Sequence, residues 1–69
     1  MDRLIVFTKT IVTSVEPERT FRTAEECLIE IRLVESLREA SAWKHEYEVC
    51  GQIAKIDKFL SRIKELESS

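Results

Sequence analysis

Glycine and proline are almost absent from this sequence, which has one residue of each among its 69. Because Gly51 is the only glycine, the chain has no glycine-rich loop of the kind that cradles phosphate groups in nucleotide-binding proteins. Hydrophobic residues make up 43% of the sequence and charged residues 35%. This balance, with so few residues that break regular structure, predicts a folded and helix-rich chain rather than a disordered one.

Cysteine and histidine are also scarce, and their small number limits the chemistry open to the chain. Two cysteines are too few for a disulfide-stapled secreted scaffold, which usually carries about four to eight. Cys27, His45 and Cys50 lack the short spacings that build a metal site. His45 also has no nucleophile and acid around it in a recognised catalytic order. We therefore expect buried free thiols, an exposed or partly exposed His45, no metal or cofactor, and no enzymatic activity.

Positive charge is not in excess, and long apolar runs are missing. The 11 lysines and arginines are outnumbered by 13 aspartates and glutamates, which gives a net charge of −2. A protein that binds nucleic-acid phosphates usually has a basic balance instead. No uninterrupted apolar run approaches the roughly 18 residues of a membrane-spanning helix, and the first residues do not match a signal peptide. These features predict a cytoplasmic protein that does not bind membranes.

Residues 4–15 are rich in β-branched side chains, which favour a pleated strand over a helix. In a strand the odd-numbered residues, Ile5, Phe7 and Ile11 among them, form the more apolar face and should point to the core. Pro17 should end this strand because proline cannot continue a hydrogen-bonded ladder. The segment is interpreted as one long strand.

Two helices are predicted after this strand. Thr23 and Glu26 have the spacing of a capping box, so the first helix is placed at residues 24–39. The second helix is placed at residues 42–66, because its apolar residues alternate between spacings of four and three, as in a coiled-coil seam. The turn between them is placed near Ser41, and Gly51 is the alternative position for a break.

The predicted fold class is α+β, a single domain over residues 1–69 with the order β-α-α. A lone strand leaves the hydrogen bonds of its own backbone unsatisfied, so we expect it to pair antiparallel with the same strand of a second copy. A homodimer also suits so small a domain, which buries only about 60% of its surface. A sheet of another protein is the alternative partner for the strand. The predicted dimer interface consists of Ile5, Phe7, Ile11, Val49, Ile53, Ile56, Leu60 and Ile63.

Two groups of side chains are candidates for binding a partner. Trp43 and Tyr47 belong to the residue types enriched at binding hot spots, although they could equally cap the core. Lys55, Lys58 and Arg62 give the end of the second predicted helix a basic flank. This flank could dock an acidic partner, or it could be ordinary solvated surface.

The order of strand, helix and helix, dimerised through the strand, resembles that of the ribbon-helix-helix repressors. The resemblance implies a two-stranded ribbon in the major groove of DNA, with Thr8 and Thr10 as its outward side chains. The lysine, arginine, asparagine or glutamine that usually reads bases is missing from that face. We therefore expect a small non-enzymatic regulator, adaptor or inhibitor that binds another protein, of the kind that phages and mobile elements encode. A DNA-binding repressor is the alternative.

Overall fold

The computed structural model describes residues 5–68, which form one three-stranded antiparallel sheet and two helices. The elements in chain order are β1 (Phe7–Thr13), α1 (Pro17–Glu26), β2 (Glu30–Glu39), β3 (Ala42–Gly51) and α2 (Ile53–Ser68). β3 lies in the middle of the sheet and pairs antiparallel with both β1 and β2. The two outer strands therefore run in the same direction, and α1 connects them. The helices contact each other and the sheet, so both lie on the same face of the sheet.

The predicted order β-α-α is wrong, because the sheet has three strands and the helices are separated along the chain. The strand predicted at residues 4–15 is observed in its central part as β1, and residue 4 lies outside the described residues. The helix predicted at residues 24–39 is instead the end of α1 followed by β2. The helix predicted at residues 42–66 is β3 followed by α2.

The error has a physical cause in the apolar pattern of β3. Trp43, His45, Tyr47 and Val49 alternate with charged residues, which is the period of a half-buried strand. Some of the same residues also lie three or four apart from other apolar residues, so short stretches match a helix as well. Pairing along both edges of β3 satisfies the hydrogen bonds of its backbone, and this favours the strand over a helix.

Pro17 begins α1 instead of starting a loop, because a proline in the first turn gives up an N–H that would have no partner there. Thr23, which was predicted to cap a helix, lies inside α1, and its hydroxyl donates to the Arg19 carbonyl at 2.8 Å. The helix ends at Glu26, and Leu28, two residues farther on, has a φ of 59°. The Leu28 and Ile29 amides donate to the carbonyls of Glu25 and Ala24, which is a Schellman motif with leucine at the position usually held by glycine.

Both positions that the sequence analysis gave for a helix break lie at the end of a regular element, but neither lies between two helices. Ala40 and Ser41 form the two-residue turn between β2 and β3, and Ala40 has a φ of 52°. Gly51 ends β3 immediately before α2. A Cβ atom at Gly51 would lie 3.0 Å from Cγ2 of Ile29, so a larger residue there would require the Ile29 side chain to shift.

The core lies between the helices and the face of the sheet that they cover. Tyr47 and Val49 are the residues of β3 that belong to this core. The buried set is Val15, Ala24, Cys27, Ile29, Tyr47, Val49, Ile56, Phe59 and Ile63. The buried apolar residues of α2 therefore face the sheet of the same chain. The spacing of these residues had instead predicted that they pack against another helix.

Candidate functional site

The face of the sheet opposite the helices is open and acidic. It carries the even-numbered residues of β3, which alternate with the buried odd-numbered ones, and the residues of β1 and β2 that pair with them. Five glutamates, one arginine and one lysine give this open face a net charge of −3. Its residues are Thr8, Thr10, Val12, Glu30, Arg32, Glu35, Leu37, Glu39, Ala42, Lys44, Glu46, Glu48 and Cys50.

A pocket of about 310 Å³ lies on the open face near the β2–β3 turn. Val12 and Leu37 supply its apolar surface and are 57% and 53% exposed. The polar lining consists of Glu35, Glu39, Lys44 and Glu46. The pocket therefore combines exposed hydrocarbon with more negative than positive charge.

The cross-strand pairs of the open face differ in their charges. Arg32 lies opposite Glu48, and the two side chains form an ion pair at 3.3 Å. Glu35 lies opposite Glu46, so two carboxylates face each other in the pocket. Like charges in directly opposite positions destabilise a sheet. This pair therefore adds no attractive contact between the two strands.

The two edges of the sheet have different properties. β1 contains one charged residue, Lys9, and its register with β3 is regular. β2 contains five charged residues among ten, and its register shifts between Leu33 and Glu35, which leaves a bulge at Val34. Charges and bulges are the features with which proteins block pairing at an edge. β2 is therefore a protected edge and β1 is an open one.

His45 is buried, and the expectation that it would be exposed or partly exposed is wrong. Only 9% of its surface is accessible, and its Nδ1 atom lies 2.8 Å from the Ser36 hydroxyl oxygen across the β2–β3 pair. Trp43 stacks on the imidazole with the two rings 4° from parallel. Because the ring is covered and hydrogen-bonded within the sheet, we interpret His45 as part of the packing of this hairpin.

Tyr47 was predicted to bind a partner, but its side chain is completely buried. Its ring packs edge to face on Phe21, with the ring centres 5.9 Å apart. Its hydroxyl has no hydrogen-bond partner among the described residues. Burial raises the pKa of Tyr47, and the nearby Thr20 hydroxyl opposes this rise only in part.

The other predicted partner-binding residues do not form one surface. Trp43 is 51% exposed and lies on the helix-facing side of the sheet, near the β2–β3 turn. Lys58 is exposed on α2, and Lys55 lines a second pocket at the opposite end of the sheet. The guanidinium of Arg62 binds the Glu26 carboxylate at 2.6 Å, and this contact raises the pKa of Arg62. The predicted basic flank is thus partly neutralised by α1.

The predicted dimer residues separate into core and surface groups. Val49, Ile56 and Ile63 are buried within the single chain, and Ile11 and Leu60 pack against the same core. A partner could not reach the buried three in the folded chain. Ile5, Phe7 and Ile53 remain exposed at the end of the sheet where β1 and α2 begin. These three, with the open edge of β1, are the part of the predicted interface that is accessible.

Reasoning from the sequence did not identify the pocket on the open face. Glu35, Leu37 and Glu46 were assigned to helices, where they would not share a surface. Apolar or aromatic residues alternate with charged ones over residues 43–49, and this alternation predicts a strand. A strand at these residues places the even-numbered positions of β3 on one face.

No protein-family model, no curated protein and no solved structure matches this chain. Across residues 5–68, none of the helices has the length and apolar character needed to cross a bilayer. Both cysteines are free thiols, with Cys27 buried and Cys50 partly buried.

Proposed function

We propose that this chain is a small non-enzymatic regulator, adaptor or inhibitor that acts by binding another protein, and that it works as a homodimer joined at β1. The observation that carries the proposal is the difference between the two edges of the sheet. β1 offers a regular, nearly uncharged edge, whereas charges and a bulge protect β2.

The composition of β1 supports pairing with a further strand. Five of its seven residues are β-branched, a residue class that packs well on a pleated surface. Within residues 5–68, no strand pairs with its outer side, so the backbone groups there must bind water or another chain. A second β1 offers an edge with the same properties.

The length of β1 allows full antiparallel overlap with a second copy. Thr10 is the middle residue of Phe7–Thr13, so a two-fold axis at Thr10 pairs every residue of one strand with a residue of the other. Lys9 then lies opposite Ile11 of the second copy, which avoids direct contact between two lysines. Each favourable cross-strand pair contributes about 0.2–1 kcal/mol. The dimer would contain one continuous six-stranded sheet with all helices on the same face.

The surface area of the single chain is consistent with an incomplete assembly. The chain exposes 5274 Å², whereas a compact monomer of this mass exposes about 4,500 Å². Ile5, Phe7 and Ile53 contribute exposed apolar surface beside the start of β1.

The DNA-binding alternative has lost its support. The resemblance to ribbon-helix-helix repressors depended on the order strand, helix, helix, which the fold contradicts. Thr8 and Thr10, the proposed base-reading side chains, lie on a face with a net charge of −3. Such a face repels the phosphates that dominate affinity for DNA.

Light scattering after size-exclusion chromatography tests the homodimer. We expect a mass near twice 8.1 kDa, with dissociation on dilution. Thr10→Lys and Thr10→Glu each place like charges opposite each other at the two-fold axis, so each variant alone should dissociate more readily. An equimolar mixture of the two should recover the dimer, because opposite charges then meet.

A matched control is available on the other edge. Val34→Lys introduces the same charge at an exposed position of β2 and should leave the mass unchanged. A wild-type chain that is monomeric at every concentration contradicts the homodimer. So does a dimer that neither Thr10 variant weakens, since it must use another surface.

A further inference from the structure

The open face combines a concave apolar surface with concentrated negative charge. Five of the 13 acidic side chains of the sequence lie on it, and its net charge of −3 exceeds the −2 of the whole chain. From this concentration of charge and the shape of the pocket, we propose that the open face binds an extended basic segment of a partner protein. One arginine or lysine of that segment occupies the pocket between Val12 and Leu37.

The opposed carboxylates of Glu35 and Glu46 favour a cationic occupant. Across residues 5–68, ion pairs join Arg22 to Glu18, Arg32 to Glu48 and Arg62 to Glu26, and none reaches the pocket. Lys44 lines the same pocket without an ion pair to these glutamates. A guest cation between Glu35 and Glu46 would convert their repulsion into two attractive contacts.

The apolar part of the pocket favours a long basic side chain over a small cation. Lysine and arginine carry a hydrocarbon stem that packs on apolar surface while the charged head stays among polar groups. Val12 and Leu37 offer such a surface beside the carboxylates. The volume of about 310 Å³ lies at the lower end of ligand pockets, which run from about 300 Å³ upward. The pocket therefore suits one side chain of a larger partner.

The rest of the open face suits an extended segment. Glu30 lies on the same face farther from the turn, where it could contact a further basic residue. The inference rests on the proposed protein-binding role, and it names the chemistry of the partner. It does not depend on the homodimer, because the open face is accessible in one copy or two.

A blocked synthetic peptide of alternating arginine and valine is a suitable probe. We would titrate it into the ¹⁵N-labelled full chain at low salt and follow backbone amide shifts by NMR. We expect the shifts to concentrate at Val12, Leu37 and Glu46. Glu46→Gln should weaken binding by about tenfold, because it removes a charge-assisted contact. Added salt should weaken it further.

Glu65→Gln is the matched control, since Glu65 is exposed on α2 and the substitution changes the net charge by the same amount. It should leave the dissociation constant within about twofold. Glu46→Gln should also raise the unfolding midpoint of the free protein, because it removes the repulsion from Glu35. A variant that is more stable and yet binds less tightly separates a binding role from a folding defect.

Four results would overturn the inference: no binding at low salt, equal binding by Glu46→Gln, equal binding of a peptide with neutral citrulline in place of arginine, or shifts confined to the helices. A monomeric chain that binds the peptide contradicts the homodimer alone. A dimer that does not bind it contradicts this inference alone.

Discussion

Replacing Tyr47 with phenylalanine should stabilise the protein, although the loss of a tyrosine hydroxyl from a core usually costs stability. The Tyr47 hydroxyl is buried, and no hydrogen-bond partner is found for it within residues 5–68. A buried polar group without a partner costs about 1–3 kcal/mol. Phenylalanine keeps the ring and its contact with Phe21. The missing oxygen leaves a void of roughly 10 Å³, which costs about 0.2 kcal/mol at 24 cal/mol per Å³.

The expected net gain for Tyr47→Phe is therefore about 1 kcal/mol in the free energy of unfolding. For a domain of this size, this gain corresponds to a rise of about 4–8 °C in the melting temperature. Thermal unfolding followed by circular dichroism measures it. Thr23→Val is a contrasting control, because the buried Thr23 hydroxyl donates to the Arg19 carbonyl at 2.8 Å. That variant should lose about 0.5–1.5 kcal/mol.

The pH dependence of Tyr47→Phe gives a second measurement on the same group. The pKa of Tyr47 is raised in the folded chain, so the folded state holds the proton at a pH where the unfolded chain releases it. Ionisation of this group therefore leaves the stability unchanged below about pH 10, the ordinary tyrosine pKa, and lowers it as the pH rises through the folded pKa. The slope is at most about 1.4 kcal/mol per pH unit, and the variant should lack it. A lower melting temperature for Tyr47→Phe, with an unchanged alkaline slope, would refute the reasoning.

The remaining predictions concern the backbone. Leu28→Gly should stabilise the protein by about 0.5–1 kcal/mol, since relief of the left-handed conformation outweighs the added freedom of the unfolded chain. Leu28 is 73% exposed, so little burial is lost; a lower denaturation midpoint would contradict this. Ala40→Gly should give a similar gain for the same reason, and chemical denaturation of the double variant should show additive effects. Gly51→Ala should lower stability by about 1 kcal/mol, because the new methyl group crowds Ile29; an unchanged melting temperature would show that Ile29 yields without cost.

The sequence predicted part of the fold for reasons that the structure makes clear. The β-branched run of β1 indicated a strand, but its odd-numbered face reaches the core only at one end, where Thr13 is buried and Ile11 packs on the core. Ile5 and Phe7, which were predicted to point inward, are 64% and 44% exposed. The chain reversal near Ser41 was located correctly, but it was assigned to helices. A two-residue hairpin turn usually contains glycine, asparagine or aspartate, and the Ala40–Ser41 turn contains none of them.

The apolar residues of β2 and β3 could not be assigned from local pattern alone. Ile31, Val34 and Leu37 lie three apart, which favours a helix, whereas Ile29, Ile31 and Leu33 alternate, which favours a strand. The bulge at Val34 shifts the alternation halfway along β2, so the apolar residues do not keep a period of two over the whole strand. The pocket on the open face depends on this register, so it could not be found before the strands were paired.

The β2–β3 hairpin extends beyond the end of β1, and this overhang has a consequence for local unfolding. The last pairing with β1 is at Thr13 and His45, so residues 37–44 are held by a single strand pair. Backbone amides in such a segment open with a lower free energy than those of the three-stranded part. They should exchange with deuterium first, while the amides of the central residues of β3 exchange last. The Ala40–Ser41 turn is also where a short inserted tag should be tolerated best, because the added chain would lie far from the core.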